Sequence, residues 1–221
     1  MKRTLAGLGA VIAAVAGFSA PASAASSIDT GIVPPAHSVS ISGVIFGGTG
    51  CTKNDTSLAM SDDGQTMTLI HDAFVVEAGR IVNPNGSVAF KSNNRKNCAV
   101  SLQLNYPQGF SFVVAHATFR GFADIAKGAT GIQTTTYNWA GHTETAKGQS
   151  KQAGPFMNTY SYSDEVQDLA YSDCNGKSRL TYNAQVAVNA GTADRTLTSY
   201  MTLDTQEVNV STEWNFSWKH C

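Results

Sequence analysis

Leu180-Thr181-Tyr182-Asn183-Ala184-Gln185-Val186-Ala187-Val188-Asn189 places Leu180, Tyr182, Ala184, Val186 and Val188 on one parity and Thr181, Asn183, Gln185 and Asn189 on the other. Successive side chains of a strand point to opposite faces, so a period of two predicts a strand with one face to a core and one to water. Val100, Leu102, Leu104 and Tyr106 alternate in the same way with Ser101, Gln103 and Asn105. Near the C-terminus Val208, Val210, Trp214, Phe216 and Trp218 share one parity, with Asn209, Asn215, Ser217 and Lys219 on the other. Met67 and Leu69 alternate with Thr66 and Thr68, while Phe110 to Phe119 is apolar on both parities and predicts a central strand covered on both sides. Asp62-Asp63-Gly64 and Asn83-Pro84-Asn85-Gly86 mark turns between these segments. No stretch has a sustained helical period; Asp164 to Leu169 allows about one turn. Short strands with no helices to cover a parallel sheet predict an all-β fold, an antiparallel β-sandwich or jelly roll.

Outward from the strands, the N-terminus has three parts. Lys2 and Arg3 precede an apolar run from Leu5 to Phe18, which Pro21 and the small residues Ala22-Ser23-Ala24 follow. This is the build of a secretory signal peptide over residues 1–24, and at about 14 residues the run falls short of the roughly 20 that span a bilayer. Residues 25–38, small and polar around Pro34-Pro35, read as an extended arm, and residues 39–221 as one secreted domain. No later stretch is long and apolar enough to be a transmembrane span. Only 14% of the 221 residues are charged and the net charge is −1, so no overall field draws nucleic acid or anionic lipid, and nucleic-acid binding is not expected.

Cys51, Cys98, Cys174 and Cys221 are an even number in an exported chain, which predicts two disulfides. Three pairings are open. Spacing favours Cys51 with Cys98 and Cys174 with Cys221, each a closure confined to one half of the chain. No Cys-x-x-Cys pair or clustered histidine suggests a metal site.

Gly47-Gly48-Thr49-Gly50-Cys51, Arg95-Lys96-Asn97-Cys98, Tyr106-Pro107-Gln108-Gly109-Phe110, Phe119-Arg120-Gly121-Phe122, Gly154-Pro155-Phe156 and Trp218-Lys219-His220-Cys221 occur in an order that resembles the secreted domain of unknown function 4360 family. The likeness runs from about residue 47 to 221. Thr52 departs from it, where many members carry proline after the first cysteine. The resemblance implies a small, disulfide-bonded secreted domain and brings no catalytic residues, cofactor or partner with it.

Chemistry must therefore be sought in the residues. There is no His-Glu-x-x-His, no Gly-x-Ser-x-Gly and no phosphate loop, and His37, His71, His116, His142 and His220 stand singly. Asp124, Glu144, Asp164, Glu165, Asp168, Asp204, Glu207 and Glu213 are the raw material for a hydrolytic carboxylate pair, none in a diagnostic context. Arg120, between Phe119 and Gly121, reads as a partly buried arginine held by carbonyls or a carboxylate. Aromatic rings stack on sugars, and their polar neighbours take the hydroxyls. Thr134 to Trp139 offers that mixture, with Tyr137 and Trp139 as stacking groups and Asn138 as hydrogen-bond partner, and Tyr160-Ser161-Tyr162 resembles it. Tyr137 and Trp139 share a parity that equally lets both rings enter the core. The sequence thus reads as a secreted, non-enzymatic domain with no cofactor and no catalytic residue, binding carbohydrate or cell-wall polymer. An extracellular hydrolase of glycoside hydrolase type, its carboxylates assembled from distant strands, is the alternative.

Overall fold

The computed structural model describes residues 31–72, 74–139, 146–165, 171–203 and 212–221, apart from the side chains of residues 139, 146 and 165. The expected signal peptide and the first part of the arm lie outside the described residues. These residues form strands and no helix, and so contain no helix long and apolar enough to cross a membrane. The strands are β1 (Ser40–Gly48), β2 (Thr56–Met60), β3 (Thr66–His71), β4 (Val75–Val82), β5 (Val88–Lys91), β6 (Asn93–Asn105) and β7 (Phe110–Ile125), followed by β8 (Thr130–Trp139), β9 (Ala146–Ala153), β10 (Phe156–Glu165), β11 (Lys177–Asn189), β12 (Thr198–Thr202) and β13 (Thr212–His220).

They pair antiparallel in two sheets, as the alternation predicts. One sheet has the order β1-β6-β11-β8-β9; the other runs β2-β3-β13-β7-β12-β4-β5, with β10 on the remaining edge of β7. β7 is long enough to serve several partners: β13 takes Phe110 to Thr118, β12 takes Ala123 and Asp124, and β10 lies opposite His116 to Ile125. The turn from β7 to β8 and the turn from β9 to β10 each carry the chain from one sheet to the other.

The two predicted alternating segments are β6 and β11, neighbours at the centre of the five-stranded sheet. Their inward parity, Val100, Leu102, Leu104, Leu180, Tyr182, Val186 and Val188, is buried against Met67, Leu69, Phe112, Phe119, Trp214 and Trp218 of the other sheet. Tyr182 meets Trp214 at 4.7 Å between ring centroids and stacks on Phe119 at 6.1 Å. Each such side chain contributes about 1.5 to 3 kcal/mol through burial.

The two disulfides are Cys51–Cys98 and Cys174–Cys221, with Cα atoms 5.1 Å and 6.1 Å apart. The first is buried beside the end of β1; the second is exposed and ties the start of β11 to the chain end after β13, one strand from each sheet.

Two local readings change. Ser217, expected to face water, keeps its outward parity but is buried, because Tyr171 to Asp173 cover this part of the outer face. There Ser111 Oγ donates to the Ser172 carbonyl and Lys219 sits over the Tyr171 ring, so β7 is covered on both sides as its composition predicts. Arg120 is exposed instead of partly buried: Phe119 takes the inward position and strict alternation turns Arg120 out. The described part of the arm lies against the domain, with Ile32 bridging to Trp218 and the His37 amide donating to the Asp62 carbonyl at 2.7 Å.

Candidate functional site

The expected sugar platform falls on β8, and its parity is the first question. Tyr137 lies opposite Tyr182, and its ring is fully buried among Phe119, Tyr182 and Trp214. It is a core residue, so the expectation of a Tyr137 stacking surface is corrected. The physical reason is that the space between the sheets at this point is filled by aromatic rings, and Tyr137 completes the cluster. The Trp139 backbone pairs with Leu180, and its side chain lies outside the described residues. Asn138 points the other way, half-exposed, opposite Thr181. Tyr160 and Tyr162 are packed as well: the Tyr160 hydroxyl donates to the Thr202 carbonyl at 2.6 Å, and Tyr162 stacks on Phe119 while accepting from the Gln149 amide at 2.9 Å.

What Asn138 belongs to is the outer face of the five-stranded sheet. Residues directly opposite in a ladder share a face, so rows can be read across it. One row is Gly47, Ala99, Asn183, Thr136 and Lys147; a second is Ile45, Ser101, Thr181 and Asn138; a third is Asn97, Gln185, Thr134 and Gln149. These amides and hydroxyls touch one another weakly. Asn97 Nδ2 reaches Asn183 Oδ1 at 3.4 Å, Thr181 Oγ1 reaches Ser101 Oγ at 3.4 Å, and Gln149 Nε2 reaches Thr134 Oγ1 at 3.4 Å. Bonds of that length are at the long edge of the useful range, so donors and acceptors on this face keep capacity for a polar ligand.

A fourth row, Arg95, Ala187, Ile132 and Lys151, runs into a groove of about 470 Å³ lined by Asn94, Arg95, Thr130, Ile132, Gln185 and Ala187 among others. That volume lies within the usual range of small-molecule sites. Ile132 and Ala187 give it an apolar floor, and amide and hydroxyl groups stand around them. None of the residues lining it is a carboxylate.

Two further buried polar groups test the alternatives. Asp164 on β10 is buried, which raises its pKa above the ordinary carboxylate value against the opposing hydrogen bond from Thr135 Oγ1 at 3.3 Å. It sits against Gly148 on β9, where an added Cβ would come within 2.0 Å of its Oδ2. No described carboxylate contributes to its shift. Glu144, Asp168, Asp204, Glu207 and His142 lie outside the described residues, as does the Glu165 side chain.

His71 at the end of β3 is also buried, and burial pushes its pKa down to about 4, against a smaller upward pull from Asp55. Its Nδ1 shares a hydrogen bond with Thr56 Oγ1 at 3.1 Å, and its Nε2 has no partner. The sulfurs of Cys51 and Cys98 and a ring nitrogen of His71 lie within 4.8 Å of one another, a spacing that suits a metal ion. Both sulfurs are tied up in the disulfide, however, and only thiolates bind metal strongly.

Sequence reading missed the charge arrangement of the outer face because the charges are scattered over strands far apart in the chain. β1, β6, β8, β9 and β11 together contain six Lys and Arg and no Asp or Glu, whereas the whole chain has 15 and 16.

The model for a domain of unknown function (DUF4360) matches residues 37–221. An uncharacterized secreted protein of Arthroderma benhamiae is 35% identical over 193 residues, spanning 86% of this chain and 75% of the relative. Among solved structures, TmCBM61 in complex with β-1,4-galactotriose is similar with a TM-score of 0.32 at 9% identity, over 80% of this chain and 88% of that one. The enzymatically active domain of bacteriophage CBA120 tailspike protein 4 follows at 0.18 and 12%, over 75% of this chain and 19% of that one. Scores this low carry no argument about fold or ligand. The chain belongs to the DUF4360 family and is a secreted protein.

Proposed function

We propose that this member of the DUF4360 family is a secreted, non-catalytic domain that binds polysaccharide across the outer face of its five-stranded sheet, over the groove between Arg95 and Lys151. The observation that carries the reading is the groove itself: an apolar floor of Ile132 and Ala187, surrounded by amides and hydroxyls. A sugar ring has the matching surface, an apolar face rimmed by hydroxyls. Asn138, six residues along β8 from Ile132 or about 20 Å away, is reached only by a polymer that continues along the strand; the binding domain occupies residues 39–221 once residues 1–24 are removed. The hydrolase reading is weaker because Asp164 is the only described carboxylate held above its ordinary pKa, and no charged partner acts on it.

A glycan microarray probed with residues 25–221, alongside the double variant Thr130→Ala/Gln185→Ala, tests this. Retention on at least one polysaccharide, weakened tenfold or more in the variant, is the expected result. A blank array, or a variant that binds as well as the parent, overturns it. Release of reducing ends from any polymer would favour the hydrolase.

A further inference from the structure

The charge on this face goes further than a sugar of unspecified kind. We infer that the groove takes a carboxylated polysaccharide, a polymer of uronic acid residues; this rests on the reading of the groove as a polysaccharide site. The outward-facing residues of the five strands include Arg95, Lys147, Lys151, Lys177 and Arg179 and no carboxylate, while the chain as a whole carries −1. The other sheet mixes both signs in its strands, with Glu77, Asp124 and Glu213 beside Arg80, Arg120 and Lys219. The segregation is therefore a property of one face.

Edge protection explains part of it. Lys147 and Lys151 lie on the edge strand β9, where lysines discourage pairing with another chain. Edge protection extends to Arg95, which lies beyond the last β1–β6 pair at Cys98, and to Arg179, which precedes the first β11–β8 pair at Leu180. It does not explain why no acid balances these cations. Arg179 is partly engaged, its Nη1 donating to Ser101 Oγ at 3.2 Å and to the Gly43 carbonyl at 3.4 Å; Arg95 is exposed.

Arg95 and Lys151 close the two ends of one row, three strand spacings or about 14 Å apart. Between them lie the apolar floor and the amide-lined groove. A short oligosaccharide laid along the row places its rings over Ile132 and Ala187 and a carboxylate near each cation. The planar guanidinium of Arg95 matches a carboxylate with two parallel hydrogen bonds, the geometry for which arginine is suited. Gln185 and Thr130 supply neutral donors and acceptors for the hydroxyls between.

Polygalacturonate and its fully methyl-esterified form share a sugar backbone and differ in charge, which separates the two claims. The expected result is retention of residues 25–221 on polygalacturonate at least tenfold stronger than on the ester, falling steeply with added salt. Arg95→Gln/Lys151→Gln should lose about tenfold on the acid polymer, and Lys91→Gln/Arg120→Gln on the other sheet should lose nothing. Equal binding to acid and ester, or to neutral polymers alone, overturns the carboxylate inference and leaves the polysaccharide reading standing. No binding to either form with a blank array overturns both. Tighter binding to a sulfated glycan or to single-stranded DNA of similar charge also overturns the carboxylate inference.

Discussion

The two sheets share a core but divide polarity differently. The eight-stranded sheet is sided in the ordinary way, with Met67, Leu69, Phe119 and Trp214 inward and charges of both signs outward. The five-stranded sheet is polar on its outer face, cationic without a balancing acid, and on β8 polar on its inner face too: Gln133 and Thr135 are fully buried beside Tyr137. The first pattern makes a stable wall. The second keeps hydrogen-bonding capacity on its outer face and, on β8, also buries polar side chains against the core at some cost in stability.

The largest test of that comparison is to cut the two disulfides separately. Both close 47 residues, so chain entropy alone gives each about 4 kcal/mol. Cys51–Cys98 is also packed in the core behind the five-stranded sheet, whereas Cys174 and Cys221 are exposed. Cys51→Ala/Cys98→Ala should therefore lower the urea unfolding free energy by more than Cys174→Ala/Cys221→Ala, and a dithiol reductant should open the exposed bridge first. Equal losses would show that burial adds nothing to loop closure here.

A change of pH addresses the eight-stranded sheet. The His71 pKa is pushed from about 6.5 to about 4 in the fold, so the unfolded chain binds the proton more tightly throughout that interval. Stability is unaffected above pH 6.5 and falls as the pH drops, by about 3 kcal/mol at pH 4. Asp164 acts in the opposite sense: its raised pKa favours the fold in acid and that contribution is lost as the pH rises. Comparing wild type with His71→Phe between pH 7 and pH 4 isolates the histidine. The variant should lose less stability than the wild type by about 3 kcal/mol, and parallel curves would show that His71 protonates in place.

Gly148→Ala probes the contact between the sheets. The new methyl would meet the Asp164 carboxylate at 2.0 Å, an overlap that should cost about 1 to 3 kcal/mol. The same methyl would lie 2.7 Å from the Tyr162 hydroxyl. Asp164→Ala in the same chain removes the closer obstacle, so the double variant should recover part of that loss in a thermal melt. If it recovers nothing, the crowding at Gly148 arises from Tyr162 and not from Asp164.

How much of this the sequence shows depends on the contrast between the two parities of a strand. β6 and β11 are legible because Leu, Val and Tyr alternate with Asn, Gln and Ser, and the disulfides follow from their even spacing. β8 is not legible: Gln133, Thr134, Thr135 and Thr136 are polar on both parities, so nothing local reveals that Gln133 and Thr135 point inward. Tyr137 then reads as a ring among polar neighbours, when its neighbours in space are Phe119, Tyr182 and Trp214. Asn138 lies on the outer face, which the sequence leaves open, and the groove further along the strand joins residues from β6, β8 and β11 that only strand pairing brings together.

The smallest expected effect has the most informative sign. Both amide atoms of Gln133 are buried with no hydrogen-bond partner, on the inner face of β8. A buried amide without a partner costs about 1 to 3 kcal/mol relative to an apolar group of the same shape. Methionine has nearly the length and volume of glutamine and no strong polar group, so Gln133→Met should raise the unfolding free energy by about 1 to 2 kcal/mol. It should leave any polysaccharide binding unchanged, because Gln133 faces the core and the groove proposed for the ligand lies on the other side of the strand. A gain in stability with unchanged binding separates the two faces of β8, one costly and silent, the other exposed and functional. A loss of stability would mean that water enters between the sheets and satisfies the amide in solution, and weaker binding would mean that the two faces are coupled through the strand.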